Sequence, residues 1–382
     1  MSARPLPACP VRPARVQAHV FRCPISTPVQ TSFGTMRDRP ALFVRVEDAD
    51  GAFGWGEVWC NFPAVGAEHR ARLLDSVLAP LLTSRAFDSP ADAFEWLSER
   101  TAVLAIQSGE QGPIAQAIAG IDLALWDLCA RRAKQPLWRF LGGTGDDIPV
   151  YASGINPERP QDVATRGLTQ GFRAFKLKVG FGRERDLKNL RAMRTVLADL
   201  PLMVDANQGW NLDEAIEMAE ALAEFNLGWL EEPLRADRPW AEWQRLARVC
   251  KIPLAAGENV AGADDFDAAM RSGAITVLQP DAAKWGGISG CWPVLEAANE
   301  AGLQYCPHYL GGGIGLLASA HLLAAQGTGG MLEVDANPNP LRTALAPSLS
   351  RPANGRCSLG EAPGIGVEPD LEALARLAAA GC

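Results

Sequence analysis

Seven residues whose side chains can move protons or hold cations recur at a nearly constant interval along the chain. Lys178 precedes Asp205 by 27 positions, Asp205 precedes Glu231 by 26, and Glu231 precedes Glu258 by 27. Glu258 to Asp281 is 23, Asp281 to His308 is 27, and His308 to Glu333 is 25. Each charge ends a short apolar run. A parallel strand buried on both faces should be almost wholly apolar, so a charge at its end marks where the run opens onto a site. Asp is a good helix N-cap, which accounts for one such acid taken alone. It does not account for the set, because Glu caps poorly and the seven charges converge on one ring. Carboxylates brought together in a partly buried site repel strongly, and a divalent cation relieves the repulsion. Asp205, Glu231 and Glu258 on adjacent strands make a hard oxygen donor set with room for water and substrate, which suits one Mg²⁺ per subunit.

Two bases flank that set. Lys176 and Lys178 lie two apart in FKLKV, so both point to one face of a strand. Neighbouring ammonium groups disfavour each other's charge, which predicts a lysine pushed towards a usable base. His308 follows another apolar run, one unit after Asp281. An Asp hydrogen-bonded to a His fixes its tautomer and stabilises the imidazolium. Lys178 and His308 thus end strands on opposite sides of the ring, and a substrate between them presents one face to each. Glu333, on the last strand, is positioned to donate to a developing enolate if its pKa is raised. His321, inside LLASAHLLAA, reads as structural.

The elements that must hold these residues follow from periodicity. VQAHVFRCPI and ALFVRVEDADGAFGWGEV alternate, with a hairpin expected at Asp50-Gly51. Helical patterns follow in HRARLLDSVLAPLL and PIAQAIAGIDLALWDLCARRA, completing an α+β module of about 130 residues. From Pro149 onward VYAS, AFKLKV, LMVDA, LGWLEE, IPLAAGE, TVLQPD, LQYCPH and GMLEV alternate with amphipathic helices. Repeated βα units of this size read as an α/β barrel, whose active site lies at the carboxyl ends of the strands.

Composition narrows the partners. A chain of 382 residues with 48% hydrophobic residues is long enough for two domains and a large core. The net charge of −8 disfavours nucleic acid. No run approaches the apolar length of a membrane span. The nine cysteines are odd in number and lack CxxC spacing, and no leader-like apolar segment precedes them. Reduced thiols and a cytoplasmic location are therefore expected.

In order and spacing, KLK at Lys176 to Lys178, VDAN at Val204 to Asn207 and LEEP at Leu230 to Pro233 form a recognisable series. It continues with GEN at Gly257 to Asn259, PDAAKWGG from Pro280, CPH at Cys306 to His308 and LEV around Glu333. The chain resembles the enolase superfamily, specifically its mandelate racemase subgroup, over nearly its full length. The resemblance implies a modified TIM barrel, (β/α)₇β, over residues 141–350 with an N-terminal α+β capping domain over 1–140. Residues 351–382, including PGIGVEPD, would return to the cap. It also implies Mg²⁺ on Asp205, Glu231 (the first of two adjacent acids) and Glu258. Lys178 and His308–Asp281 would be the acid/base groups, with Lys176 tuning Lys178 or touching the substrate carboxylate. Glu333 would hold the enolate, and Asn207 and Ser153 match positions that contact substrate.

A related branch has a catalytic lysine where this chain has Asp281, and Lys284 does not fill that role. The Asp–His pair therefore favours racemase or acid-sugar dehydratase chemistry on a small carboxylate. Dehydration of a sugar acid or other 2,3-dihydroxy acid to a 2-keto acid is the commoner activity of the branch; racemisation or epimerisation of a 2-hydroxy acid is the alternative. Specificity is expected from the cap loops Pro24 to Met36 and Trp59 to Val65. Trp59, Phe62, Trp285 and Tyr309 are candidates to line the pocket or to pack the domain seam. These loops offer few cations beyond Arg37, which leaves room for a shorter or partly apolar substrate. A Schiff-base aldolase and a catalytically silent binding barrel remain open, although neither needs the whole ring. The family likeness implies a homo-oligomer.

Overall fold

The computed structural model describes residues 4–30 and 34–380. Its N-terminal part is an antiparallel sheet of β1 (Pro13–Gln30), β2 (Thr35–Asp48) and β3 (Phe53–Val58), in that order. The hairpin expected at Asp50-Gly51 is present, with Gly51 in the left-handed region at φ 85°. Helix Gln111–Arg132 crosses β3 so closely that side chains are excluded between them. A β-carbon on Gly54 would lie 2.1 Å from the Ala124 carbonyl oxygen, and one on Gly56 would lie 2.0 Å from that of Gly120. The helix is long and apolar enough to cross a membrane, yet 89% of that window is buried inside the protein. A helix apolar all round is a core helix when it is covered in this way.

The apolar runs become eight parallel strands. They are β4 (Asp147–Ile155), β5 (Phe175–Lys178), β6 (Leu202–Asp205), β7 (Leu230–Glu231), β8 (Leu254–Ala256), β9 (Val277–Leu278), β10 (Gln304–Tyr305) and β11 (Leu332–Asp335). Their order is β10-β9-β8-β7-β6-β5-β4-β11, so the sheet curls until its last two strands approach each other. At that closure a β-carbon on Gly330 would lie 1.6 Å from the Tyr305 carbonyl oxygen, and the Met331 amide donates to the Cys306 Sγ at 3.4 Å. Tyr151, Met203, Trp229 and Cys306 fill the inside of the curl below its mouth. Register sets the mouth: Lys178 pairs with Asp205, and Asp205 with Glu231, at one level.

The C-terminal segment runs back over both parts. β12 (Arg356–Ser358) pairs antiparallel with β4, and helix Leu371–Ala380 packs on β1 of the cap. Buried acids fasten the seam. Asp122 accepts from the Ile288 and Ser289 amides, and Asp127 from the Trp55 and Ile365 amides. One sequence expectation needs correction here. Cys9 and Cys129 form a disulfide, so the thiols are not all reduced. The N-terminal segment lies beside the long cap helix, which brings together two cysteines 120 positions apart that no local spacing connects.

Candidate active site

The barrel mouth and the cap enclose a cavity of about 280 Å³. Lys178, Asn207, Glu258 and His308 reach it from the strand ends, and Trp59 and Phe62 from the cap. Lys178 and His308 meet this space from β5 and from the segment after β10.

Each group at the mouth has its own counter-ion. Lys178 Nζ lies 2.5 Å from Asp205 Oδ2. Lys176 Nζ, fully buried, lies 2.6 Å from Glu231 and 2.7 Å from Glu333. The Trp229 and Gln279 side chains also donate to Glu231, at 3.0 and 2.6 Å. His308 Nδ1 is 2.8 Å from Asp281 Oδ2, and its Nε2 is 2.7 Å from Glu258 Oε2. The Asp281–His308 pair expected from one strand to the next is therefore formed.

The expected weakening of the lysines does not occur. Burial pulls Lys178 down, but the Asp205 carboxylate outweighs both burial and Lys176, so its pKa is raised. Lys176 is likewise raised, its burial outweighed by Glu231 and Glu333. Burial opposes charge on His308 too, and Glu258, Glu333 and Asp281 together hold its pKa well above the usual histidine range. In the opposite sense, burial raises Glu258 but His308 outweighs it and holds the acid well below its usual value. The neighbouring acids outweigh the repulsion between the two ammonium groups.

Among the described residues, no three acid or imidazole side chains gather tightly enough around one point to hold an ion as they stand. The donor chemistry nevertheless fits Mg²⁺. Asp205, Glu231 and Glu258 are oxygen-only ligands at successive strand ends, and their charges are balanced by lysine and histidine groups. Asn207 lies beside them, its amide N–H donating to Asp205 Oδ1 at 2.7 Å.

The remaining expected site residues divide. Ser153 is fully buried and donates to Glu333, so it supports that acid behind the cavity. Trp285 packs on Phe266 with ring centroids 5.4 Å apart and does not line the cavity. Tyr309 is buried, its ring against Gly311 and Gly315, where added β-carbons would each come within 2.3 Å of it. Its contribution to the site is the main-chain N–H, which donates to Glu333 at 3.0 Å. These two aromatics pack, while Trp59 and Phe62 line. Of the loop Pro24 to Met36, Val29 and Met36 reach the cavity, and residues 31–33 lie outside the described part. Arg37 is exposed and is absent from the lining.

Several wall residues carried no sequence signal strong enough to single them out. Arg39 comes from β2, donates to Asp335 and bonds the Pro338 carbonyl at 3.1 Å. Asp335 stands two positions after Glu333 on β11, and that i, i+2 spacing puts both on one face. Asn156 and Asn337 line the same end, joined at 3.3 Å. Lys284 bonds Asn259 Oδ1 at 2.7 Å and stands 4.8 Å from the centre of the Trp59 ring.

Comparisons with known proteins agree with this architecture. Residues 15–142 match the family model described as mandelate racemase / muconate lactonizing enzyme, N-terminal domain, and residues 161–374 match enolase C-terminal domain-like. The chain is 34% identical over 371 residues to a 3,6-anhydro-alpha-L-galactonate cycloisomerase of Streptomyces coelicolor, covering 95% of this chain and 99% of that one. A crystal structure of a mandelate racemase/muconate lactonizing enzyme from Bordetella bronchiseptica is 60% identical with a TM-score of 0.92, covering 97% of this chain and all of that one (100%). A racemase from Streptomyces coelicolor with bound magnesium is 32% identical with a TM-score of 0.85, covering 96% and 99%. Further relatives are named as dehydratases and epimerases.

Proposed function

Because the chain belongs to the mandelate racemase and muconate lactonizing enzyme family of the enolase superfamily, we propose that it removes the α-proton of a hydroxylated carboxylate with Lys178 and His308. The observation that carries this reading is that both groups line one cavity, each leaning on its own carboxylate. Asp205, Glu231 and Glu258 would hold one Mg²⁺, which when bound supplies Lewis-acid stabilisation of the charge developing on the substrate carboxylate.

The protein's own groups do the rest. Asp281 accepts from His308 Nδ1, which leaves Nε2 as the nitrogen that exchanges a proton with substrate. Lys178 Nζ serves the other face of the α-carbon. Glu333, 2.7 Å from Lys176 and bonded by the Tyr309 amide, lies behind the cavity and would act on the developing enolate oxygen from there. Trp59 and Phe62 cover the substrate and exclude water, while Asn156 and Asn337 offer hydrogen bonds to hydroxyl groups.

From the enediolate two outcomes share this geometry. If His308 protonates a departing β-hydroxyl, water leaves and the enol tautomerises to a 2-keto acid. If the group on the opposite face returns a proton to the α-carbon, the product is the epimer. The dehydration of a sugar acid is supported by the Asn156 and Asn337 amides at one end of a cavity otherwise walled largely by apolar surface, and by a relative named as an arabinonate dehydratase. Epimerisation is supported by the presence of a base on each side.

Proton NMR in D₂O with Mg²⁺ and pooled 2-hydroxy and sugar acids tests the reading, comparing the protein with Lys178→Ala. Loss of an α-proton signal with a 2-keto-3-deoxy product supports dehydration, and loss with a new epimer supports racemisation. Absence of both, with no Mg²⁺ binding by calorimetry, overturns it.

A further inference from the structure

Lys178 and His308 are held in position by different means. Lys178 ends a strand, and its backbone is fixed by sheet pairing with Asp205 on β6. His308 lies beyond the end of β10, in a segment that continues through Gly311 and Gly312 to the helix Gly313–Gln326, which itself starts on a glycine. A run of glycines has little conformational preference of its own, so partners outside the segment decide where it sits.

Within the barrel the Tyr309 amide donates to Glu333 at 3.0 Å and Asn339 Nδ2 donates to the Gly311 carbonyl at 2.9 Å, and the other partners come from the cap. Glu57, at the end of β3 and 2% exposed, accepts from the Gly312 amide at 2.5 Å and from the Gly315 amide at 2.8 Å. The carboxyl group thus meets the positive end of a helix of 14 residues, an arrangement that partly offsets the cost of burying it. Gly312 leaves room for it, since a β-carbon there would lie 2.6 Å from Glu57 Oε1. Four residues on, Asn61 Nδ2 donates to the Leu310 carbonyl at 2.9 Å. Between them the Trp59 amide donates to the Ala283 carbonyl at 3.2 Å, two residues after Asp281. One short stretch of the cap therefore grips both segments that carry the Asp281–His308 pair. Among the described contacts, nothing comparable from β3 reaches Lys178.

We propose that Glu57 is a positioning residue for His308: by clamping the glycine turn to the cap it sets the imidazole against Asp281 and the substrate's one face, without acting on Lys178. The inference rests on the two-face reading above. It makes the capping domain part of the acid/base apparatus on one side of the substrate only.

The test is the ratio of α-proton exchange rates from the two faces, read by proton NMR in D₂O with saturating Mg²⁺. The probes are the enantiomers of lactate, glycerate and mandelate and C2-epimeric pairs of aldonates. Lys178→Ala and His308→Asn identify which epimer each group serves. In Glu57→Gln, which removes one of the two acceptors, exchange from the His308 face is expected to fall at least tenfold relative to the Lys178 face. Glu57→Asp, which shortens the reach, serves as the milder variant and should shift the ratio in the same direction. A merely structural role lowers both rates together, because the ratio is insensitive to the fraction of folded protein. An unchanged ratio in both variants overturns this inference and leaves the proton-abstraction reading standing. Absence of exchange from either face in the unmodified protein overturns both.

Discussion

Two sets of buried carboxylates lie within one molecule, and they differ in what satisfies them. At the seam, Glu57, Asp122 and Asp127 accept from backbone amides, two of the three at the start of a barrel helix, and Asp127 also pairs with Arg131 on its own helix. At the mouth, Asp205, Glu231, Glu258 and Asp281 each face a lysine or histidine as well, although Asp205 also accepts from Asn207 and Asp281 from the Ala283 and Lys284 amides. Backbone donors cannot move or change charge, so the seam acids are fixtures. Burial pushes Glu57 and Asp122 each up to about 7, against the pull of those amides. Cationic side chains can exchange partners, so the mouth acids are able to trade a lysine or imidazole for a metal ion or a substrate. Burial is common to both sets, and the nature of the partner separates structure from chemistry.

Four substitutions probe that contrast. The largest effect is expected at the mouth: Lys178→Ala should lower α-proton exchange by about 10³-fold or more, as loss of a general base does. With Mg²⁺ present its melting temperature should stay near that of the unmodified protein, because the ion can neutralise Asp205. A collapse of stability would move Lys178 into the class of fixtures. At the seam the balance should reverse. Asp122→Ala strands two helix-start amides and the Ser289 hydroxyl, which should cost about 4 kcal/mol in urea unfolding. Exchange per folded molecule should be unchanged.

A buried base extends the comparison. His321 Nδ1 accepts from the Trp138 amide at 3.1 Å, and burial lowers its pKa to about 4. Its unfolded value is higher, so between roughly pH 6.5 and 4 the unfolded chain binds more protons and stability falls as pH falls. The contribution is complete above about pH 6.5 and lost by about pH 4, a range worth about 3 kcal/mol. The difference between the stability–pH curves of the protein and of His321→Gln should show this slope, and parallel curves would remove His321 from the account. The smallest effect is expected where the cap meets substrate. Trp59→Ala removes the ring beneath Lys284 and should raise KM about fivefold with little change in kcat.

Much of the mouth was legible because the βα unit repeats. Equal units set charges at equal intervals, so Lys178, Asp205, Glu231, Glu258, Asp281, His308 and Glu333 could be placed at strand ends by counting. The Asp281–His308 contact followed from the same counting. What counting does not reveal is the direction of a side chain past the strand end. Ser153, Trp285 and Tyr309 sit in the expected neighbourhood but turn into the protein. The protonation behaviour of Lys178 also escaped, since it depends on distances to acids on other strands. At the seam, Asp122 and Asp127 stand out as charges within an apolar helix. Apart from Arg131, four positions after Asp127, and the Ser289 hydroxyl on Asp122, their partners are backbone amides more than 70 positions away, and amides leave no mark in sequence. Arg39 and the Cys9–Cys129 bond are tertiary in the same sense.

On the proposed reading Asp205, Glu231 and Glu258 would form a cation site, and the seam carboxylates would not. This contrast is tested most directly by calorimetric titration of Mg²⁺ into the protein and into Asp205→Asn, Glu258→Gln and Asp122→Asn. One Mg²⁺ per chain is expected, with affinity lost in the first two variants and retained in the third. No binding to the unmodified protein, or equal binding to Asp205→Asn and Glu258→Gln, would contradict it.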